Sequence, residues 1–329
     1  MKETNTVLFL LVALLTGCAS YSLKEGATPA NASAAPPDLK LVCRLLEASR
    51  CAYGVERFGV LSDRQEFLTC ANGLRDWRAI DDQDQHINAV LVELADDAVI
   101  IAYRGTLPPR RDGDSKATLE DWTQDIEAGQ VAENNIDGKM HAGFHGGFQQ
   151  TWDSLMAALQ AWKGKGELER KKVYVTGHSK GGAMAVISAL HLYNQGVKPD
   201  AVYTFAAARA GDQAFVTGYG KMEIATWRYE NRFDIVPHLP PNMGDVNVLA
   251  SHFIIPAALR THEYQSTGNL VFINWEGKLQ PDSQGLEEER IRRFDSLLEK
   301  PGAAEVILNA HSAEKTRQYY QAICAQTNP

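Results

Sequence analysis

The sequence predicts an α/β protein with a mostly parallel central sheet and helices on both faces. Apolar runs that suit buried strands alternate along the chain with helix-like segments. The predicted strands are residues 88–94, 98–103, 171–176, 201–205 and 224–229, and the predicted helices between them are residues 148–162 and 181–193. Because a parallel pair of strands needs a crossover connection, usually a helix, this alternation predicts a sheet covered on both sides.

The composition is that of an ordinary globular protein. Of the 329 residues, 44% are hydrophobic and 22% are charged, which argues against a disordered chain. The net charge is −8 and no long run of lysine or arginine occurs, so the sequence offers no basic surface for nucleic acid. No internal repeat is visible, and residues 39–329 are predicted to form one domain. The sequence predicts no particular oligomeric state.

The start of the chain is typical of an export signal. The apolar run 7–15 is shorter than the ~20 residues that a membrane-spanning helix needs, and it has the length of a signal-peptide core. It ends in Leu15-Thr16-Gly17-Cys18, which resembles the bacterial lipobox, where the cysteine becomes the lipidated first residue. Residues 1–18 are therefore predicted to be a lipoprotein signal peptide, and residues 19–38, rich in Ala, Ser and Pro, a flexible tether. The alternative is an ordinary signal peptide with a chance cysteine.

On this prediction the protein is exported and anchored to a bacterial membrane through lipid on Cys18. In a Gram-negative host the outer membrane is expected, because Ala19 and not aspartate follows the cysteine. Four further cysteines, Cys43, Cys51, Cys70 and Cys324, can form disulfides in three connectivities outside the cytoplasm. The alternative is that they are free buried thiols.

The pattern Gly-x-Ser-x-Gly occurs once in a setting that gives it chemical meaning. Gly177-His178-Ser179-Lys180-Gly181 follows a predicted strand and opens a predicted helix. Such a sharp strand-to-helix turn lifts the serine hydroxyl clear of the sheet, and small residues on either side let the backbone turn. The helix N-terminus then faces the charge that develops during attack on a carbonyl. Ser179 is therefore predicted to be a nucleophile in an α/β-hydrolase fold.

Four segments, in order along the chain, resemble the class 3 lipase family. They are 102–106 (Ala-Tyr-Arg-Gly-Thr), 141–144 (His-Ala-Gly-Phe), 173–183 around Ser179, and 232–237 (Arg-Phe-Asp-Ile-Val-Pro). The resemblance runs from about Ala52 to the C-terminus. It implies a lipase-like serine hydrolase, here as a bacterial lipoprotein.

A serine hydroxyl needs a base, and the base needs an orienting carboxylate. In α/β-hydrolases the chain order is serine, acid, histidine, and Asp234, at the end of a strand-like segment, is the predicted acid. The resemblance implies a histidine before the C-terminal helix, which favours His311, predicted to open a helix-like segment 311–320. His262 is the alternative base. Cys324, close after His311, is a candidate partner for Cys43, and that crosslink would hold the base against the sheet.

The resemblance also implies an oxyanion hole made by the backbone N–H of Lys180 and by the N–H and hydroxyl of Thr106. Two features depart from the family. Lys180 stands where many members carry leucine, so a charge is expected at the pocket rim. A polar stretch, 107–120, precedes residues 121–126, which resemble the family's lid helix. A longer and less apolar lid puts activation at a lipid surface in doubt.

The predicted activity is hydrolysis of lipid esters through an acyl-enzyme on Ser179, as in triacylglycerol lipases. Phospholipase A1 and short-chain carboxylesterase remain alternatives within this class. A serine peptidase, or a lipid-anchored binding protein without turnover, are alternatives from other classes. No metal or cofactor is predicted, because the cysteines and histidines show no ligand spacing.

Overall fold

The computed structural model describes residues 37–64, 67, 70, 76–82, 87–107, 129–242, 245 and 263–327. The helices with described bounds are α1 Leu39–Cys51, α2 Ala142–Gly164, α3 Lys180–Asn194, α4 Gln213–Gly220, α5 Leu286–Leu298, α6 Ala303–His311 and α7 Gln318–Ile323. The strands are β1 Val55–Glu56, β2 Val60–Leu61, β3 Asp76–Asp81, β4 Ala89–Leu94, β5 Ala98–Tyr103, β6 Gln130–Val131, β7 Met140–His141, β8 Lys172–His178, β9 Ala201–Phe205, β10 Gly211–Asp212, β11 Ala225–Asn231, β12 Tyr264–Gln265, β13 Asn269–Ile273 and β14 Leu279–Pro281. The predicted export signal and nearly all of the tether lie outside the described residues.

The main sheet has eight described strands in the order β14-β13-β11-β9-β8-β5-β4-β3. The five central strands, from β13 to β5, run parallel, and β14, β4 and β3 pair antiparallel at the two edges. A second, four-stranded sheet has the order β12-β10-β7-β6. The predicted α/β-hydrolase fold, with a mostly parallel central sheet and helices on both faces, is confirmed.

Strand β5, at the middle of the sheet, is apolar along its whole length because both of its faces are covered. In β5 every residue is buried. Val99, Ile101 and Tyr103 join the core under α2 and α3, whereas Ala98, Ile100 and Ala102 join the core under α1 and α7. This alternation follows from the two-residue period of a strand. The carboxyl ends of β5, β8 and β11 consequently open onto one edge of the sheet.

Helix α1 packs with α7 on the face of the sheet opposite to α2 and α3, and a disulfide links it to the end of α7. It begins where the Asp38 side chain accepts a hydrogen bond from the backbone N–H of Lys40, at 3.1 Å, which satisfies a free donor of the first turn. The disulfides are Cys43–Cys324 and Cys51–Cys70. The pairing of Cys43 with Cys324 that the sequence suggested is therefore formed, and it ties α1 to the end of α7.

Most predicted elements match, but the start of α2 and the helix at His311 differ from the prediction. The strand at 201–205 matches β9, and α2 begins six positions earlier than predicted because the His141 side chain caps it, accepting from the N–H of Phe144 at 3.2 Å. His311 does not open a helix but is the last residue of α6. Ile307 and Ala310 lie on the buried side of that helix. Ser312 has an extended backbone conformation, which ends the helix. Among the described helices, none is long and apolar enough to cross a membrane.

Candidate active site

The turn between β8 and α3 holds Ser179 in a strained conformation. Its φ is 61° and its ψ is −131°, a combination that costs a non-glycine residue roughly 1–3 kcal/mol and persists only where the surroundings impose it. A Cβ on Gly177 would overlap the carbonyl of Gly181, and a Cβ on Gly181 would overlap the carbonyl of Tyr103. Both glycines are therefore required by close backbone approach, as the sequence pattern predicted.

Ser179, His311 and Asp234 form a continuous hydrogen-bonded chain. The Nε2 of His311 lies 2.9 Å from the Oγ of Ser179. The Nδ1 of His311 lies 2.9 and 3.1 Å from the two carboxylate oxygens of Asp234. Because a carboxylate accepts, Nδ1 carries the proton and Nε2 is left free to accept the serine proton. All three side chains are buried, with Asp234 only 1% exposed.

Asp234 lies just beyond β11 and its carboxylate is held by two groups besides the histidine. The backbone N–H of Val236 donates to Oδ1 at 3.0 Å, and the hydroxyl of Tyr319 donates to Oδ2 at 2.8 Å. The same hydroxyl accepts from the N–H of Asn231 at 2.9 Å. Burial, followed by the charge of Asp234, raises the pKa of Tyr319 well above its usual range. The phenol therefore stays protonated and donates to the carboxylate at any pH where the fold persists.

The backbone at His311 is fixed from two sides. The amide of Asn231 donates to the carbonyl of Ala310 at 2.8 Å, and the His178 Nε2 lies 2.7 Å from the carbonyl of His311 itself. A carbonyl can only accept, so His178 carries its proton on Nε2, and its Nδ1 accepts from the Tyr53 hydroxyl at 2.8 Å. Burial, together with the smaller effect of the neighbouring His311, lowers the pKa of His178 to about 3. His178 is thus a neutral support for the turn, as its position beside the serine suggested.

The two residues expected in the oxyanion hole flank this turn. The N–H of Lys180 is in the first turn of α3, where the helix itself supplies no acceptor. Thr106 is exposed and lies three residues beyond β5, which ends at Tyr103 as the sequence predicted. A Cβ on Gly105 would overlap the carbonyl of His178, so the chain leading to Thr106 passes directly against the turn that carries Ser179.

The side chain of Lys180 is drawn into a polar network at the start of β4. Its Nζ donates to the Oδ1 of Asn88 at 2.8 Å, and the amide of Asn88 donates to Asp82 at 2.9 Å. Burial and, to a smaller extent, the charge of Arg104 lower the pKa of Lys180 to about 8, against the opposing effect of Asp82. The Lys180 ammonium, which the sequence predicted at the pocket rim, is therefore hydrogen-bonded to Asn88 at the start of β4.

The structure brings together the predicted nucleophile, acid and favoured base. Lys180 directly follows the nucleophile, and Thr106 directly follows Gly105, which approaches the carbonyl of His178. His262, the lid-like residues 121–126 and Cys18 lie outside the described residues. Sequence reasoning missed Tyr319, Tyr53 and Asn88 as supports of the site. For Tyr319 a signal existed, since aromatic residues follow His311; for the other two only the fold reveals the contact.

The fold is that of the α/β hydrolases, and the site holds a serine, a histidine and an aspartate in one hydrogen-bonded chain. Comparison with known proteins narrows the class: residues 100–244 match the family described as lipase (class 3). A lipase of Rhizomucor miehei is 33% identical over 149 residues, 44% of this chain and 38% of that protein. A secreted mono- and diacylglycerol lipase of Fusarium solani is 28% identical over 44% of this chain and 39% of its own length. The chain thus spans about two fifths of these relatives.

Solved structures agree on the fold. A triacylglycerol lipase described as having a serine protease triad in its catalytic centre superposes with a TM-score of 0.53 at 23% identity, covering 73% of this chain and 82% of that one. The Lip2 lipase of Yarrowia lipolytica superposes with a TM-score of 0.51 at 20% identity, over 73% and 82% of the two chains. The chain is therefore similar to class 3 lipases over residues 100–244 and shares their fold.

Proposed function

We propose that the protein is a carboxylic ester hydrolase that cleaves lipid esters through an acyl-enzyme on Ser179. The observation that carries this proposal is the hydrogen-bonded chain from the Ser179 Oγ through His311 to Asp234, with 2.9 Å at each link. A serine hydroxyl becomes a competent nucleophile when a base within roughly 2.6–3.2 Å accepts its proton. Here that contact is already made, and the base is held by a buried carboxylate.

The proposed reaction follows from these contacts. The Oγ of Ser179 bonds to the ester carbonyl carbon while its proton passes to Nε2 of His311. The negative oxygen of the tetrahedral intermediate accepts from the N–H of Lys180 and from Thr106. Collapse of the intermediate breaks the ester C–O bond, and His311 returns the proton to the leaving alcohol. Water, deprotonated by His311, then attacks the acyl carbon. The bond from that carbon to the Oγ of Ser179 breaks, His311 returns the proton to Oγ, and the fatty acid leaves.

A lipid ester is the proposed substrate because the related proteins are named as lipases of tri-, di- and monoacylglycerols. Phospholipase A1 and short-chain carboxylesterase activities use the same chemistry. They differ only in the length of the acyl pocket and the polarity around it. A lipid-anchored binding protein without turnover would keep the fold but would not need a serine, base and acid in hydrogen-bond contact.

A chain-length series of p-nitrophenyl esters tests the proposal, with Ser179→Ala as the matched control. We expect turnover that rises with acyl length, and a loss on the order of 10⁶ in kcat for Ser179→Ala at unchanged circular dichroism. A preference for the shortest ester assigns a carboxylesterase. Equal rates for the two proteins would contradict the proposal, and casein cleavage without ester cleavage would favour a peptidase.

We also propose that the protein is exported and anchored to a bacterial membrane by lipid on Cys18. The support is the lipobox-like Leu15-Thr16-Gly17-Cys18. The two disulfides of the described chain suit an oxidising compartment outside the cytoplasm. Cys18→Ser is expected to move the protein from the detergent phase to the aqueous phase of a detergent partition, or to stop its maturation. Wild-type protein in the aqueous phase, with no acyl mass on its N-terminus, would contradict the anchor.

A further inference from the structure

We propose that Glu133, His145 and His191 form a binding site for a divalent transition metal ion of the zinc type. The three residues come from separate parts of the fold. Glu133 lies in the segment between β6 and β7, His145 in the first turn of α2, and His191 in the last turn of α3. Their ligand atoms all lie within 4.8 Å of one another. Two imidazoles and one carboxylate are a ligand set that zinc commonly takes in proteins.

The distances suit such an ion. The Oε2 of Glu133 lies 2.7 Å from the Nε2 of His145 and 3.5 Å from the Nε2 of His191. In a tetrahedral site with bonds of ~2.0–2.1 Å, neighbouring ligand atoms are about 3.3 Å apart. The two observed distances lie on either side of that value. On binding, the Glu133–His145 contact would open by several tenths of an ångström, and the two imidazole nitrogens, which lie within 4.8 Å of each other, would settle at about 3.3 Å.

The histidine nitrogens are available to a metal. The Nε2 of His191 is buried and, in the described part of the chain, has no hydrogen-bond partner. Its ring packs against Phe148, with centroids 4.6 Å apart, and against Trp152 at 5.8 Å. A buried ring nitrogen without a hydrogen-bond partner, packed among aromatic rings, lowers the stability of the fold unless a ligand binds it.

Charge separates this cluster from the other group of similar composition, His238, Asp245 and Glu287. There, Arg209 lies 2.5 Å from Asp245 and Arg290 lies 2.9 Å from Glu287. Guanidinium groups thus already neutralise both carboxylates and repel a cation. The ion pairs that the described residues make with Glu133 are only those with the two histidines. The Glu133 carboxylate is therefore the one that retains an uncompensated charge for a metal ion.

The proposed site is structural and not catalytic. Helix α3 begins beside Ser179, and its 15 residues extend about 22 Å at 1.5 Å per residue. His191 near its far end is therefore remote from the hydrolytic chemistry. A metal there would join α2, α3 and the segment between β6 and β7 into one unit. The ligands are scattered along the chain, which is why their spacing in sequence predicted no metal.

Isothermal titration with Zn²⁺ tests this inference on the full chain, freed of metal by chelation and carrying no histidine tag. All proteins carry Cys18→Ser, since the other four cysteines are in disulfides. We compare the parent with Glu133→Gln and His191→Ala, and use Glu287→Gln as the matched control from the other cluster. Circular dichroism confirms that each variant is folded.

We expect one Zn²⁺ per parent chain and a melting temperature that rises with Zn²⁺. Glu133→Gln and His191→Ala should each weaken binding at least 10–100-fold, whereas Glu287→Gln should bind like the parent. Ester hydrolysis at moderate temperature should not depend on the ion. The absence of saturable binding by the parent, or a loss below about 10-fold in both folded variants, would overturn the proposal.

Discussion

Tyr319→Phe removes one hydroxyl and tests whether the phenol holds the acid of the site. In the structure this hydroxyl donates to Asp234 Oδ2 at 2.8 Å and accepts from the N–H of Asn231 at 2.9 Å. The phenylalanine ring fills the same space, so the change deletes two buried hydrogen bonds without leaving a large cavity. Tyr320→Phe is the matched control, because its hydroxyl donates to Glu47 at the partly buried edge of the same helix.

The magnitude follows from the two bonds. A hydrogen bond to a charged group contributes about 1.5–3 kcal/mol, and a buried N–H left without an acceptor costs about 1–3 kcal/mol. Since both effects arise from one hydroxyl and the site relaxes in part, we expect the free energy of unfolding to fall by roughly 2–4 kcal/mol. Asp234 keeps its bonds from His311 and Val236. The loss in kcat should therefore be about 10-fold, equivalent to about 1.4 kcal/mol.

Urea unfolding and ester hydrolysis measure both quantities on the same preparations. Tyr320→Phe should cost at most about 1 kcal/mol, as is usual for partly exposed polar pairs, and should leave kcat unchanged. If Tyr319→Phe were as stable and as active as its control, the phenol would not be holding Asp234. A loss as large as that of Ser179→Ala would also contradict the reasoning, because the carboxylate would then depend wholly on Tyr319.

Three further predictions concern groups around the site. Cys43→Ala, which opens the disulfide to Cys324, should lower the free energy of unfolding by about 2–4 kcal/mol, and an unchanged urea midpoint would contradict it. Burial lowers the pKa of Lys180 from 10.5 to about 8, so the unfolded chain binds more protons than the folded protein between these values. Stability should rise across that pH window by up to roughly 3 kcal/mol, and Lys180→Met should remove the rise, as measured by urea unfolding at each pH. The pKa of His178, lowered to about 3, predicts that stability is lost as pH falls from 6.5 towards 3. By NMR its ring should remain uncharged at about pH 5, and an imidazolium signal there would count against the prediction.

The centre of the fold is predictable from sequence because its strands are buried on both faces. β5 and β9 are almost continuously apolar and β8 has an apolar centre, and such runs separated by helices indicate a parallel sheet. The edge strands were not predicted. β3, with Asp76, Arg78 and Asp81 among its six residues, lacks that pattern, since it pairs only with β4 and its first residues are partly exposed.

The candidate site divides in the same way. Ser179 and Asp234 lie in local patterns at strand ends, so their positions follow from the sequence. The identity of the catalytic histidine depends on which C-terminal segment packs back against the carboxyl edge of the sheet. The sequence therefore left His262 as an alternative to His311. Tyr53 and Tyr319 contact the site across long sequence separations. Their roles follow from the packing of α1 and α7, which no local pattern predicts.

The most direct test of the proposed triad is the rate at which a fluorophosphonate probe labels Ser179, with the labelled peptide identified by mass spectrometry. The probe reports the activated hydroxyl itself, independently of which ester the protein prefers. We predict one adduct on Ser179 in the wild type, labelling slowed by about 10⁴ or more in His311→Ala, and near wild-type labelling in His262→Ala. An adduct on another residue, or rapid labelling of His311→Ala with loss in His262→Ala, would contradict the assignment.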